Sequence, residues 1–220
     1  LVQRYEHLAV PRARPGRRLP YTHPPAAPPP GSHSRVVRDL RERGLLAGHL
    51  TAGAAYGGEG EAITTAGALD HGLRALGWDA AVCGPGPGIL GSSTPLGHGG
   101  LTALETAHTA LALGCEVTIC PRMSSADPRP RHRGLSHHTR TVLELLLAPV
   151  TVAAPAGAAD VVAAGAGEHT VRAAQPDLAG YAASGLPART MGRDIGEDEL
   201  FFAAALAGGA VLATTGDGDG

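Results

Sequence analysis

LTALETAHTALALGCEVTIC, residues 101–120, decides the fold. Its first part, 101–113, has the apolar content and length of a helix and is closed by Gly114. Its last part, EVTIC at 116–120, is rich in β-branched residues and reads as a strand. The same alternation extends in both directions. Upstream, 34–43 is helical, with Val36, Val37 and Leu40 on one stripe and Gly44 as its stop. A strand is expected at 49–52, a helix at 61–76 that groups Ile63, Ala66, Leu69, Leu73 and Leu76, and a short buried strand at 79–83. Downstream come a helix at 138–147, a strand at 150–153, and helices at 177–184 and 197–206. Strands alternating with helices of this length predict an α/β fold with a mostly parallel, Rossmann-like three-layer sheet and helices on both faces. Such sheets bind ligands at the carboxyl ends of their strands.

The flanks read differently. Eight prolines lie between Pro11 and Pro30, among Arg12, Arg14, Arg17 and Arg18, so 1–33 is expected to be a Pro/Arg-rich arm or a degraded N-terminal region. Residues 34–213 form the α/β domain and 214–220 a disordered tail. The 220 residues carry 18 Lys plus Arg against 20 Asp plus Glu, and all 18 basic residues are Arg. A net charge of −2 gives no global argument for nucleic acid. No apolar run approaches the length of a membrane-spanning helix, so no membrane association is expected. Cys83, Cys115 and Cys120 lack CxxC spacing and are read as reduced core residues of a cytoplasmic protein.

Three loops carry the chemistry. After the strand at 79–83 comes GPGPGILGSST, 84–94, in which Gly86, Gly88 and Gly91 have GxGxxG spacing. No helix opens there and no acid follows some twenty residues on, so a nicotinamide cofactor is disfavoured. The expected role is an anion cradle with the hydroxyls of Ser92, Ser93 and Thr94. After 116–120 comes PRMSSADPRPRHRGLSHHTR, 121–140, with five arginines and one aspartate. Arg122, Arg129, Arg131 and Arg133 suit phosphate or carboxylate oxygens, and Ser136 is an N-cap that places His137 and His138 in the first helical turn. A helix N-terminus disfavours imidazolium, so either histidine is a candidate proton carrier, with Asp127 or Glu61 as partner. Glu61 lies in the third loop, GAAYGGEGE at 53–61, where its plainer role is an acid at a helix start.

HRGLSHHT (132–139), preceded by PRMSSADPRPR (121–131), resembles the signature of a bacterial conserved family known only as domain of unknown function 3866. TAGAAYGGEGEA (51–62), GPGILGSSTPLG (86–97) and MGRDIGEDELFFAAALAGGA (191–210) are similar to its other segments, in the same order. The resemblance spans about 36–210 and implies no assigned activity. Two features depart from the family pattern: members carry a longer N-terminal region with its own strands, and His98 stands where an aromatic residue is expected.

The expectation is an α/β enzyme acting on a small anionic, phosphate-bearing metabolite by transfer, hydrolysis or isomerisation. The alternatives are a non-enzymatic nucleotide or metabolite sensor and a metal-dependent hydrolase built on His132, His137, His138, Asp127 and Glu61. The cofactor is unknown, no metal ligand set is assigned, and a homo-oligomer is compatible with the sequence.

Overall fold

The computed structural model describes residues 19–25, 34–85 and 91–214. In chain order the elements are β1 (Leu19–His23), α1 (Arg35–Glu42), β2 (Leu46–Ala52), β3 (Gly60–Ala62), α2 (Thr65–Arg74), β4 (Val82–Cys83), α3 (Thr102–Ala112), β5 (Thr118–Ile119), β6 (Met123–Ser124), β7 (Gly134–Leu135), α4 (His137–Leu145), β8 (Thr151–Pro155), α5 (Ala159–Ala163), β9 (Thr170–Ala174), α6 (Leu178–Ala183), β10 (Arg189–Thr190), β11 (Arg193–Asp194) and α7 (Glu199–Thr214). The protein is mixed α/β. Every pairing in the four-stranded sheet β3-β2-β1-β4 and in the three-stranded sheet β5-β8-β9 is parallel, while β6-β7 and β10-β11 are short antiparallel ribbons.

The first correction concerns the proline arm. Leu19–His23, inside the segment read as an arm, is an interior strand of the four-stranded sheet and is buried throughout. Pro20 has no N–H to give a ladder, and it sits where the register shifts: Leu19 pairs with Leu46, but Tyr21 pairs with His49. The extra residue in β2 reverses its alternation. Leu46 therefore joins Tyr21, Val37 and Leu40 in one apolar cluster, and Leu50 and Ala52 pack with Ala68 in another. Residues 1–18 and 26–33 of that arm, and 215–220 of the tail, lie outside the described residues.

The second correction concerns the helix expected at 61–76. Gly60–Ala62 pairs as β3 along β2, and α2 begins only after Thr64, whose side chain accepts from Gly67 N. Ile63, assigned to the apolar stripe, is 92 % exposed. The stops at Gly44 and Gly114 hold, with φ of +66° and +78°, a region that disfavours a side chain.

Between the two parallel sheets runs α7, apolar on every side and buried from Phe201 to Gly209. Phe201, Phe202, Ala205 and Leu206 enter the cluster with Tyr21, whereas Ala204 enters the one built on Met123, Leu135 and Val152. Cys120 Sγ meets Ala204 O on this helix at 3.5 Å. Among the described residues no helix is long and apolar enough to cross a membrane.

The single tryptophan, Trp78, lies across Gly72 of α2, and a Cβ there would overlap its ring. An alanine inside a helix normally adds about 1 kcal/mol over glycine. Here Gly72→Ala displaces the indole, and the expected net result is a loss of about 1–3 kcal/mol. Denaturant melts and a red shift of the Trp78 emission check it; an unchanged emission maximum would count against the packing.

Candidate functional site

The chain beyond β5 builds a rigid corner. Met123–Ser124 pairs with Gly134–Leu135, closing 125–133 into a hairpin loop. Ser136 N donates to Arg122 O at 2.9 Å and Arg122 N to Thr139 Oγ1 at 2.9 Å, so the loop and the start of α4 are tied together. Asp127, fully buried, is the loop's anchor. Its Oδ2 accepts from Arg122 Nη2 at 3.0 Å and Arg129 Nη2 at 2.9 Å, and its Oδ1 from Arg129 N and Nε at 3.0 Å each. The Arg129 hydrogen bonds hold the Asp127 carboxyl well below the usual carboxylate range, against the opposing effect of burial. Arg133 Nε donates to Asp127 O at 2.9 Å. The arginine loop is thus not a free positive surface, because Arg122 and Arg129 share their charge with Asp127. Asp127 serves that arrangement rather than orienting His137 or His138. Arg131 is exposed at the rim.

Ser136 is the N-cap of α4, as expected: its Oγ accepts from His138 N at 3.3 Å. The same oxygen lies 2.8 Å from His132 Nδ1. Bonded to both His138 N and His132 Nδ1, the Ser136 hydroxyl is already committed within the protein.

Beside this corner stands His98. It follows β4, forms a bridge with Gly91, and caps the 3-10 turn that leads into α3. Its ring stacks on His138 with centroids 4.0 Å apart and planes 18° from parallel. His137 lies 4.2 Å from His138, and His132 lies 4.8 Å from both. Adjacent helix residues point about 100° apart, yet His98 and His132 close around both rings. The imidazoles are held neutral. Burial and then Arg122 and Arg129 lower His132 to about 4, and burial followed by the neighbouring imidazoles lowers His138 further. His137 is lowered by burial, then by Arg131, Arg122 and Arg129; His98 is lowered by burial, then by His137.

Among the described residues, five nitrogens here are buried without a hydrogen-bond partner: His98 Nδ1 and Nε2, His137 Nε2, His138 Nδ1 and Arg122 Nε. His169 is a useful contrast. Its two ring nitrogens bond Leu143 O at 2.8 Å and Val150 N at 3.3 Å, beside a hollow of about 270 Å³ at the far end of α4. That histidine is explained by structure alone; His98, His137 and His138 are not.

Other expected residues fall elsewhere. Glu61 is in β3, at the opposite edge of its sheet from β4, and its Oε1 accepts from Gly57 N at 2.8 Å. It neither starts a helix nor reaches the histidines through the contacts it makes. Ser92 Oγ and Thr94 Oγ1 bond each other at 2.9 Å, Thr94 N donates to Ser92 Oγ, and Ser92 N donates to Gly97 O. The turn spends these groups on itself, and Ser93 is exposed on it. Gly86 and Gly88 lie outside the described residues; Gly91 reaches the site only through its bridge to His98. His98 is the residue that the sequence reading missed. The available signal was its place in the loop that follows a strand's carboxyl end.

The family model for a protein of unknown function, DUF3866, matches residues 6–209. The chain belongs to this family. The DUF3866 match takes in β1 as well as the histidine corner, so the strand hidden among prolines is part of the family's own span. No curated protein and no solved structure matches the chain.

Proposed function

We propose that the protein is an α/β enzyme that hydrolyses a small phosphate-bearing metabolite, with Arg122 binding the anion, Arg131 at the rim and the imidazole cluster activating the attacking water. One observation carries the reading: the five buried, unpartnered nitrogens of Arg122, His98, His137 and His138. A buried polar atom left unpaired costs about 1–3 kcal/mol, so a cluster of them is retained where a ligand satisfies it. Arg122 supplies a fixed positive charge with a side chain only 13 % exposed, where a phosphate oxygen is worth more than at the surface.

The topology supports the same place. The order β3-β2-β1-β4 is that of the first half of a doubly wound nucleotide-binding sheet, and the parallel β5-β8-β9 sheet suits its second half. We read the whole as Rossmann-like and three-layered, acting in the cytoplasm. The histidines then lie beyond the carboxyl ends of β4 and β5, close to where the strand order reverses.

The test uses p-nitrophenyl phosphate as substrate and inorganic phosphate as competing anion. Turnover is expected, phosphate is expected to inhibit and to raise the Tm, and Arg122→Gln is expected to lower kcat/KM about 10²-fold. Arg131→Gln, which leaves the Asp127 anchor untouched, is expected to raise KM with little change in kcat. Stabilisation by phosphate without turnover of mono- or diesters would make the protein a binding module. The absence of both stabilisation and turnover would overturn the reading.

A further inference from the structure

The geometry points to a site for one divalent transition-metal ion, held by His98, His137 and His138. One nitrogen from each ring lies within 4.8 Å of the other two. An ion at 2.0–2.1 Å from three tetrahedrally placed nitrogens sets them about 3.4 Å apart, a contraction that small side-chain rotations supply. The nitrogens that would ligate are those left over by the fold. Both ring nitrogens of His98, Nε2 of His137 and Nδ1 of His138 have no hydrogen-bond partner among the described residues, although His98 and His138 are each only 8 % exposed.

Ligand chemistry narrows the ion. Three imidazoles without carboxylate or thiolate suit zinc or cobalt and offer little to magnesium or calcium, which take oxygen. Asp127, the nearest acid in the loop, is consumed by Arg122 and Arg129. Three protein ligands also leave a fourth position open, the arrangement of catalytic rather than structural zinc. The ligands are preorganised from two directions. His137 and His138 are fixed by the Ser136 cap, and His98 by its bridge to Gly91 and the 3-10 turn behind it. His132 packs 4.8 Å from the rings of His137 and His138 and is bonded to Ser136, which makes it a positioning residue rather than a ligand.

The ion site stands on the imidazole geometry alone; its role rests on the hydrolytic reading above. In that role the bound water gives its oxygen to phosphorus and the ester P–O bond breaks. The departing alkoxide gains the proton that the water lost, and no oxidant or reductant enters.

The experiment strips the full-length protein with a chelator and titrates it with Zn²⁺ by calorimetry and with Co²⁺ by visible absorption. One ion per chain is expected, with submicromolar affinity, a higher Tm on loading, and the intense visible bands of four-coordinate cobalt. His98→Gln and the half-buried His137→Ala are each expected to weaken binding at least 10²-fold, while exposed His71→Gln leaves it unchanged. Circular dichroism of the stripped variants separates lost ligands from lost fold, and His137→Ala perturbs packing least. Substoichiometric binding by the wild type, or equal affinity in His98→Gln or His137→Ala, overturns the site. Ion binding without turnover leaves the site standing and removes the hydrolytic role. Turnover that persists in the stripped protein leaves the hydrolytic reading standing and removes the ion's part in it.

Discussion

Asp198→Ala is expected to lower the unfolding free energy by about 3–5 kcal/mol. Asp198 is fully buried immediately ahead of α7 and serves four donors. Its Oδ2 accepts from Ser124 Oγ at 2.7 Å and Arg193 Nε at 3.0 Å; its Oδ1 accepts from Ser125 N at 2.9 Å and Ser125 Oγ at 3.3 Å. Truncation leaves the Arg193 guanidinium, only 16 % exposed, without its counter-charge, and leaves three donors of Ser124 and Ser125 without an acceptor. It also cuts the tie between β6, which begins the arginine loop, and the helix that enters both apolar clusters. A domain of this size has roughly 5–15 kcal/mol of stability to lose, so the variant approaches the unfolding threshold. Asp198→Asn keeps one acceptor oxygen and is expected to lose less. Urea denaturation of the three proteins measures the difference, and a loss under about 1 kcal/mol for the alanine variant would contradict the account.

The second large effect is acid unfolding driven by buried histidines, two of which lie away from the candidate site. His23 and His49 are 1 % and 2 % exposed in the four-stranded sheet, where the His49 ring stacks on Tyr21 and on His23 and the His23 ring is tilted against Tyr21. Burial lowers both to about 4, and the charges of His23 and Arg41 add to the effect at His49. In the unfolded chain each titrates near 6.5. Between pH 6.5 and 4 the unfolded state therefore binds more protons than the folded one. The stability contributed by the neutral rings is full above pH 6.5 and is lost as pH falls toward 4. The slope is about 1.4 kcal/mol per pH unit for each histidine, steep enough to unfold the protein in mildly acidic buffer. Asp127 contributes nothing in this window because its carboxyl stays ionised below it. Stability measured by urea melts from pH 7.5 to 4.5 checks the slope; His49→Gln should remove one histidine's share, about 1.4 kcal/mol per pH unit, while His132 and His138 add to what remains. A flat profile would contradict the burial of these rings as neutral species.

Legibility followed the range of the forces involved. The helices at α1, α3, α4, α6 and α7 were readable because period, cap and glycine stop are local: Ser34, Ser136 and Asp177 cap as their positions suggest. Strand β1 was hidden because proline argues against a strand unless the ladder is interrupted, and the interruption at Leu19/Tyr21 exists only once β2 lies alongside. Strand β9 and helix α5 were not anticipated; TVRAA at β9 is partly exposed and lacks a clear apolar alternation. Glu61 was misplaced for a related reason, since GEAI matches the front of a helical stripe until β3 pairs with β2.

By itself the sequence determined an α/β chain with parallel strands, the membership marked by its histidine and glycine segments, and the density of arginine and imidazole at 122–138. Those are properties of neighbours along the chain, written in propensity, period and charge. Only the tertiary structure decided how that density is arranged. It buried Asp127 under two arginines, turned the hydroxyls of Ser92 and Thr94 on each other, and carried His98 from another loop onto His138. Contacts between distant residues depend on how sheets and helices pack, and no local pattern encodes which unpaired nitrogen will face which.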